Sequence, residues 1–214
     1  MDRPPRDLLP RLAASVKALR AGEDAIGEGR RRELAELARF VRSRRAAGEA
    51  AKLVFICTHN SRRSHLAQIW AQTAAHVHDL SGVETYSGGT EATAFNPRAV
   101  AALERAGFEV ARRGGGDNPV YEVRFAPEVA PMACFSKVYD RPPNPPNGYC
   151  AVMTCSAADE GCPVVFGAAE RLAIRYDDPK SSDGSPAERQ TYDERCRQIG
   201  REMLWALGAA AEAR

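Results

Sequence analysis

The stretch "VFICTHNSRRSHLAQIW", residues 54–70, decides the fold. Val54, Phe55 and Ile56 make a short apolar run of buried-strand type. Cys57 to Ser64 form a polar loop, and Leu66, Ile69, Trp70, Thr73, Ala74 and Val77 resume at helical spacing. Strand, tight loop and helix start together form one physical device. The loop's N–H groups and the positive end of the helix dipole converge on a point that draws an oxyanion. A cysteine placed at that point is favoured as the thiolate.

Outward from this stretch the chain alternates between strand and helix. Strand 52–57 and helix 62–78 are followed by a strand over 83–87 and a "GGTEATAF" loop. The next helix opens on Asn96-Pro97, an N-cap with proline in the first turn, and closes at Gly107. Residues 114–119 read as a turn, 120–125 and 132–138 as two extra strands, and the proline-rich 140–148 as a loop. A strand over 149–154 ends at Cys155, and another over 172–176 ends at Asp177-Asp178-Pro179. A last helix over 186–207 aligns Tyr192, Cys196, Ile199, Met203 and Leu207. This order predicts an α/β fold, a central parallel sheet with helices on both faces. Cys57, Cys155 and Asp178 then lie at the carboxyl ends of strands, where ligands bind in such sheets.

Residues 1–50 read as an N-terminal extension of two helices, and 51–214 as the main domain. Leu8, Leu9, Leu12, Val16 and Leu19 form one apolar stripe, and Leu34, Leu37, Phe40 and Val41 a second. Two helices cannot bury both stripes by themselves, so they pack on the main domain or on a second subunit. The formal charge of +2, with no aromatics among the arginines of 30–32 and 42–45, predicts solvated helix faces and no nucleic-acid partner. No apolar run suits a bilayer and no signal-type segment is visible, so a cytoplasmic protein with no membrane partner is expected. Six cysteines spread through 214 residues do not read as a disulfide framework. Cys134, Cys150 and Cys196 read as core thiols, and His65, His76 and His78 as helix-surface residues. Trp70 and Trp205 read as helix-to-sheet packing.

Three groups of residues remain as chemistry. Cys57-x5-Arg63-Ser64 supplies a nucleophile, a planar guanidinium for two oxygens of an anion, and a hydroxyl that can donate to the thiolate. The chain's composition would give this pattern by chance about 0.04 times. Asp178, after a strand and fixed by Pro179, is either a turn residue or a general acid reaching the same mouth. In "MTCSAADEGCP", residues 153–163, about one and a half helical turns separate Cys155 from Cys162. Their sulfurs then start too far apart to bond, so a disulfide needs that helix to unwind. Two inert thiols are the alternative, and zinc is a weak one, because no Cys-x2-Cys or paired histidines accompany them.

The segments "FICTHNSRRS", "YSGGTEATAFNPRAVAAL", "MTCSAADEGCP" and "YDDP", spanning about 52–208, resemble the low-molecular-weight phosphatase family, in particular its thioredoxin-coupled arsenate reductase branch. The resemblance implies that Cys57 attacks arsenate held by Thr58, His59, Asn60, Ser61, Arg62, Arg63 and Ser64, and that Asp178 protonates the departing oxygen. It further implies that Cys155 takes over the oxidation as a 57–155 disulfide and that Cys162 moves it to 155–162. Thioredoxin or a similar dithiol resets the pair. No tightly bound cofactor and no metal are implied. Three positions depart from the family pattern. His59 stands where glycine is usual, at a position that can need positive φ. Arg62 replaces a common cysteine, so its charge either tightens anion binding or occupies the loop. Gln68 replaces an acidic residue of a cation site.

The runner-up function is hydrolysis of phosphomonoesters, including phosphotyrosine, which needs only Cys57, Arg63 and Asp178. Lys180-Ser181 after Pro179, in place of an aromatic pair, weighs against phosphotyrosine. A third reading is a phosphate-binding module without turnover.

Overall fold

The computed structural model describes residues 7–161 and 164–212. In chain order its elements are α1 (Pro10–Ala21), α2 (Glu28–Ala46), β1 (Ala51–Cys57), α3 (Arg63–Val77), β2 (Val83–Gly89), α4 (Pro97–Ala106), β3 (Glu109–Arg113), β4 (Val120–Arg124), β5 (Met132–Cys134), β6 (Tyr149–Met153), α5 (Ser156–Gly161), β7 (Ala168–Ala173) and α6 (Glu188–Glu212). The expected parallel sheet is present, with strand order β2-β1-β6-β7 and every neighbouring pair parallel.

Side chains on β1 alternate between the two faces of this sheet. Leu53 and Phe55 enter a core shared with α1, α2, α3, α4 and α6, whereas Val54 and Ile56 enter a smaller cluster on the other face, which Cys57 joins at the strand end. That second face is covered by Ala158 of α5 together with Val165, Tyr86 and Tyr139. One face therefore rests on long helices, and the other on one short helix and connecting segments. The Asn96 cap forms as expected, its side chain accepting from Arg98 N at 2.9 Å.

β3, β4 and β5 form a separate antiparallel sheet. β3 was not expected, because Glu109-Val110-Ala111-Arg112-Arg113 lacks an apolar alternation and forms an edge by pairing with β4. The strand expected over 132–138 stops at Cys134. The Asn118 side chain accepts from Ser136 N (3.1 Å) and donates to Ser136 O (2.8 Å), which ends the ladder. The strand expected over 172–176 lies instead over 168–173. Its path still runs alongside β6, since Ile174 N and Tyr176 N donate to Met153 O and Thr154 O at 3.0 and 3.1 Å. α6 starts later than expected and runs further, with Ala206, Leu207 and Ala210 still buried near its end.

The two N-terminal helices pack on the rest of the chain. Their stripes share one core with α3 and α6. The turn after α4 is tightly closed over by α1: Gly107 has φ of +106°, and a Cβ there would lie 2.4 Å from Leu12 N. Arg30 corrects the expectation of a solvated basic face. Its Nε donates to Glu202 Oε2 at 2.9 Å, and its guanidinium lies 4.7 Å from the Tyr176 ring centre. Trp70 is buried in the core shared by the helices and the sheet, donating to Cys196 Sγ at 3.3 Å and meeting Phe108 edge-on. Among the described residues no helix is long and apolar enough to cross a membrane.

Candidate active site

Cys57 ends β1 and is buried. Its Sγ lies 3.1 Å from Ser64 Oγ, and Asn60 Nδ2 donates to that same Oγ at 2.9 Å. With one lone pair of Ser64 Oγ occupied in this way, its own proton is free to point at the sulfur. Asn60 Oδ1 in turn accepts from Lys137 N at 2.9 Å. Asn60 is also the loop residue with positive φ (43°). His59, at a position that can need positive φ, does not adopt it; the next residue does, and asparagine tolerates it well.

The loop's carbonyls are taken up from outside. Thr90 N donates to Cys57 O (3.1 Å), Glu91 N to Thr58 O (2.8 Å) and Asn96 N to Ser61 O (2.9 Å). Thr93 Oγ1 and Ser136 Oγ both donate to His59 O at 3.0 Å. With its acceptors committed outward, the loop keeps its N–H groups for an anion inside. Gly89 permits this close approach, since a Cβ there would lie 2.6 Å from Thr58 O and 2.7 Å from Asn60 N.

Arg63 Nη2 donates to Asp178 Oδ2 at 2.7 Å, and Arg63 Nη1 to Tyr176 O at 2.9 Å. Asp178 also accepts from Lys180 N at 3.1 Å. Arg62 turns away toward α6, with Nε 2.8 Å from Tyr192 OH and Nη2 3.4 Å from Asp183 Oδ2. Burial, and then the bond to Asp183, push the Tyr192 hydroxyl up to about 12. Cys57, His59, Ser61, Arg62, Arg63 and Asp178 enclose a hollow of about 10 Å³. That is room for about one water, and the Asp178 carboxylate occupies the Arg63 guanidinium at its rim.

Cys155 begins the turn after β6. Its Sγ accepts from Ala158 N at 3.4 Å and lies 3.6 Å from Thr58 Oγ1. β1 and β6 pair directly, and Thr154 N donates to Ile56 O at 2.7 Å. Cys57 and Cys155 therefore sit at adjacent strand ends and share one apolar cluster. Cys162, the third expected redox residue, lies outside the described residues. Cys134 and Cys196 are buried, and burial pushes both thiols up to about 12; it raises Cys150 as well. These three are held as neutral core thiols, as expected. The amide of Gln68 bonds Thr85 O at 3.1 Å.

Several residues of this neighbourhood were not legible. His65, expected on the surface, is completely buried, stacked 4.1 Å from Phe95 with Nδ1 3.2 Å from Ser87 Oγ. Lys137 under the loop, the Asp183–Tyr192 pair beside Arg62, and Arg30 behind Tyr176 carry no local sequence signal.

Residues 52–115 match the family described as "Low molecular weight phosphotyrosine protein phosphatase". An arsenate reductase of Bacillus licheniformis is 29% identical over 149 residues, covering 69% of this chain and 88% of that protein. An arsenate reductase of Bacillus subtilis is 26% identical over 154 residues, covering 71% and 91%. A solved low-molecular-weight phosphotyrosine phosphatase from Vibrio cholerae O395 is 14% identical with a TM-score of 0.49, covering 74% of this chain and 94% of that one.

Proposed function

We propose that this chain, which is similar to the low-molecular-weight phosphatase family over residues 52–115 and to curated arsenate reductases, reduces arsenate to arsenite at Cys57. Several observations support this reading, and the placement of a second cysteine beside the nucleophile carries it: Cys155 sits at the neighbouring strand end, 3.6 Å from the side chain next after Cys57. Arsenate displaces Asp178 from Arg63, and its oxygens take the Arg63 fork and the amides of residues 58–64. The Cys57 thiolate attacks arsenic, and the departing oxygen leaves as water after Asp178 supplies a proton. The Cys155 thiolate then attacks Cys57 Sγ. The S–As electron pair stays with arsenic, which leaves as arsenite(III), and a 57–155 disulfide forms. Cys162 attacks Cys155, frees the Cys57 thiolate and leaves a 155–162 disulfide. An external dithiol, thioredoxin or a similar protein, returns the two electrons.

The second transfer requires α5, which separates Cys155 from Cys162, to unwind. One experiment tests the sequence of steps. After a single arsenate turnover, free thiols are titrated and the disulfide is mapped by mass spectrometry. Two thiols lost and a 155–162 bond are expected, and Cys155→Ala and Cys162→Ala are expected to abolish arsenite production. Hydrolysis of phosphomonoesters without arsenate turnover, unaffected by those substitutions, would replace this reading with a phosphatase built on Cys57, Arg63 and Asp178.

A further inference from the structure

The loop rests on a residue that the chemistry above does not use. Lys137 is 6% exposed. Its N–H holds the Asn60 side chain, and its carbonyl accepts from Gly89 N at 2.9 Å. Gly89 is the register partner of Cys57, so two strand spacings put the Lys137 backbone about 10 Å from that of Cys57. The Lys137 ammonium donates to Phe135 O at 3.3 Å and lies 4.7 Å from the Phe135 ring centre. Among the described residues no carboxylate pairs with it.

The titratable groups that face Lys137 are Cys134 of β5 and His65 of α3, and both are neutral. Burial holds the Cys134 thiol up at about 12. Burial, reinforced by the Lys137 charge itself, holds the His65 imidazole well below its ordinary value. An ammonium withdrawn from water with no counter-charge is unfavourable, and burial accordingly lowers Lys137 to about 8.

Resting on the reading of Cys57 as an oxyanion nucleophile, we propose that Lys137 is a positioning residue for the substrate: a buried ammonium whose counter-charge is the oxyanion held by the Cys57 loop. It touches no substrate atom. It acts through the loop that its backbone fixes and through the field of its charge. Anion binding and protonation of Lys137 are then linked, each favouring the other. As pH rises through about 8 the ammonium is lost and its share of the affinity goes with it. At the scale of the backbone spacing, two unit charges about 10 Å apart at an effective dielectric of about 20 are worth about tenfold, which sets the size of the share to look for.

The test is calorimetric binding of inorganic phosphate and arsenate to the full chain from about pH 6.5 to 9.5, a window that brackets the lowered Lys137 value of about 8 and stays below the ordinary lysine value. Wild type is compared with Lys137→Met and Lys137→Arg. Any such variant keeps the backbone N–H to Asn60, so the ammonium alone is removed or replaced. Affinity ratios between proteins cancel the anion's own ionisation. The ratio of wild type to Lys137→Met is expected to be about tenfold near neutral pH and to fall to about one once the ammonium is lost. Lys137→Arg is expected to keep the affinity and to hold it past about pH 9, because a guanidinium stays charged there. In turnover assays the loss in Lys137→Met is expected in KM, with kcat little changed. A ratio of one at every pH overturns the proposal. If Lys137→Met fails to fold by circular dichroism, the arginine variant decides, and an unmoved alkaline loss overturns it. Absence of oxyanion binding in wild type would instead overturn the functional reading of Cys57 itself.

Discussion

Cys57 and Cys155 close adjacent parallel strands, but the chain leaves them in two different ways. After Cys57 it enters a loop whose carbonyls are bonded from outside and whose Asn60–Ser64 contact leads straight to the sulfur. It then joins a 15-residue helix. After Cys155 comes a six-residue helix. Val164 and Phe166, at 65% and 79% exposed, lie just beyond it. The backbone of the first region is fixed by these bonds before any ligand arrives, so only the Asp178 side chain has to leave Arg63 on the proposed reading, which is close to the preorganisation that oxyanion chemistry rewards. The second is held at fewer points, by buried Ala158 and by Asp159 with its partners Arg171 and Arg175, so it has less to give up if it unwinds as the proposed relay requires.

Substitutions can break this contrast from either side. The largest effect is expected at Cys57. Cys57→Ser should lower both arsenate reduction and phosphomonoester hydrolysis by about 10⁴-fold or more, measured as initial rates. Cys155→Ser should separate the two activities. Reduction should fall to background while ester hydrolysis persists, because only the first uses the second region. If both activities fall together, Cys155 belongs to the rigid region and the contrast is lost.

Two further substitutions probe how firmly the first region is built. Arg30→Met leaves Glu202, whose side chain is 4% exposed, buried without its ion pair. It should destabilise the protein by about 3 kcal/mol in denaturant unfolding, with Glu202→Gln restoring part of the loss. Arg30 also donates to Arg175 O and covers Tyr176, whose carbonyl anchors Arg63, so this tests whether the N-terminal helices brace the site. Asn60→Ala removes two side-chain hydrogen bonds and places alanine at positive φ. About 2 kcal/mol of stability should go, together with a loss of both activities in equal proportion.

The first region was legible in the sequence because its logic is local. Strand, loop, Cys57, Arg63 and helix succeed one another within 54–70, and the Asn96 cap and Gly107 stop announce themselves within a turn. The illegible parts depend on partners far along the chain. Arg30 meets Glu202 across 172 residues, and Lys137 meets Asn60 across 77. His65 has helix-surface neighbours in sequence, yet the first turn of α3 tucks it under the loop against Phe95 and Ser87. β3 escaped because an edge strand of charged residues is made by its partner, not by its own pattern. Asp178 was placed correctly after a run that tracks β6, although the strand itself ends earlier.

Thr58 stands between the two regions, and the smallest and most discriminating effect is expected there. Its backbone belongs to the loop, with its carbonyl held by Glu91 N, but its hydroxyl lies 3.6 Å from Cys155 Sγ. Thr58→Val keeps the shape and the loop amide and removes only that hydroxyl. A weak contact to sulfur is worth well under about 1 kcal/mol, so the expected change is about threefold or less. If the two regions act in succession, that change appears only in the formation of the 57–155 disulfide, monitored by thiol titration under single-turnover conditions. Formation of the Cys57 adduct, and ester hydrolysis with it, should stay at the wild-type rate. A loss in ester hydrolysis instead would mean that the hydroxyl serves the anion, and that Cys155 is a neighbour of the site without a part in it.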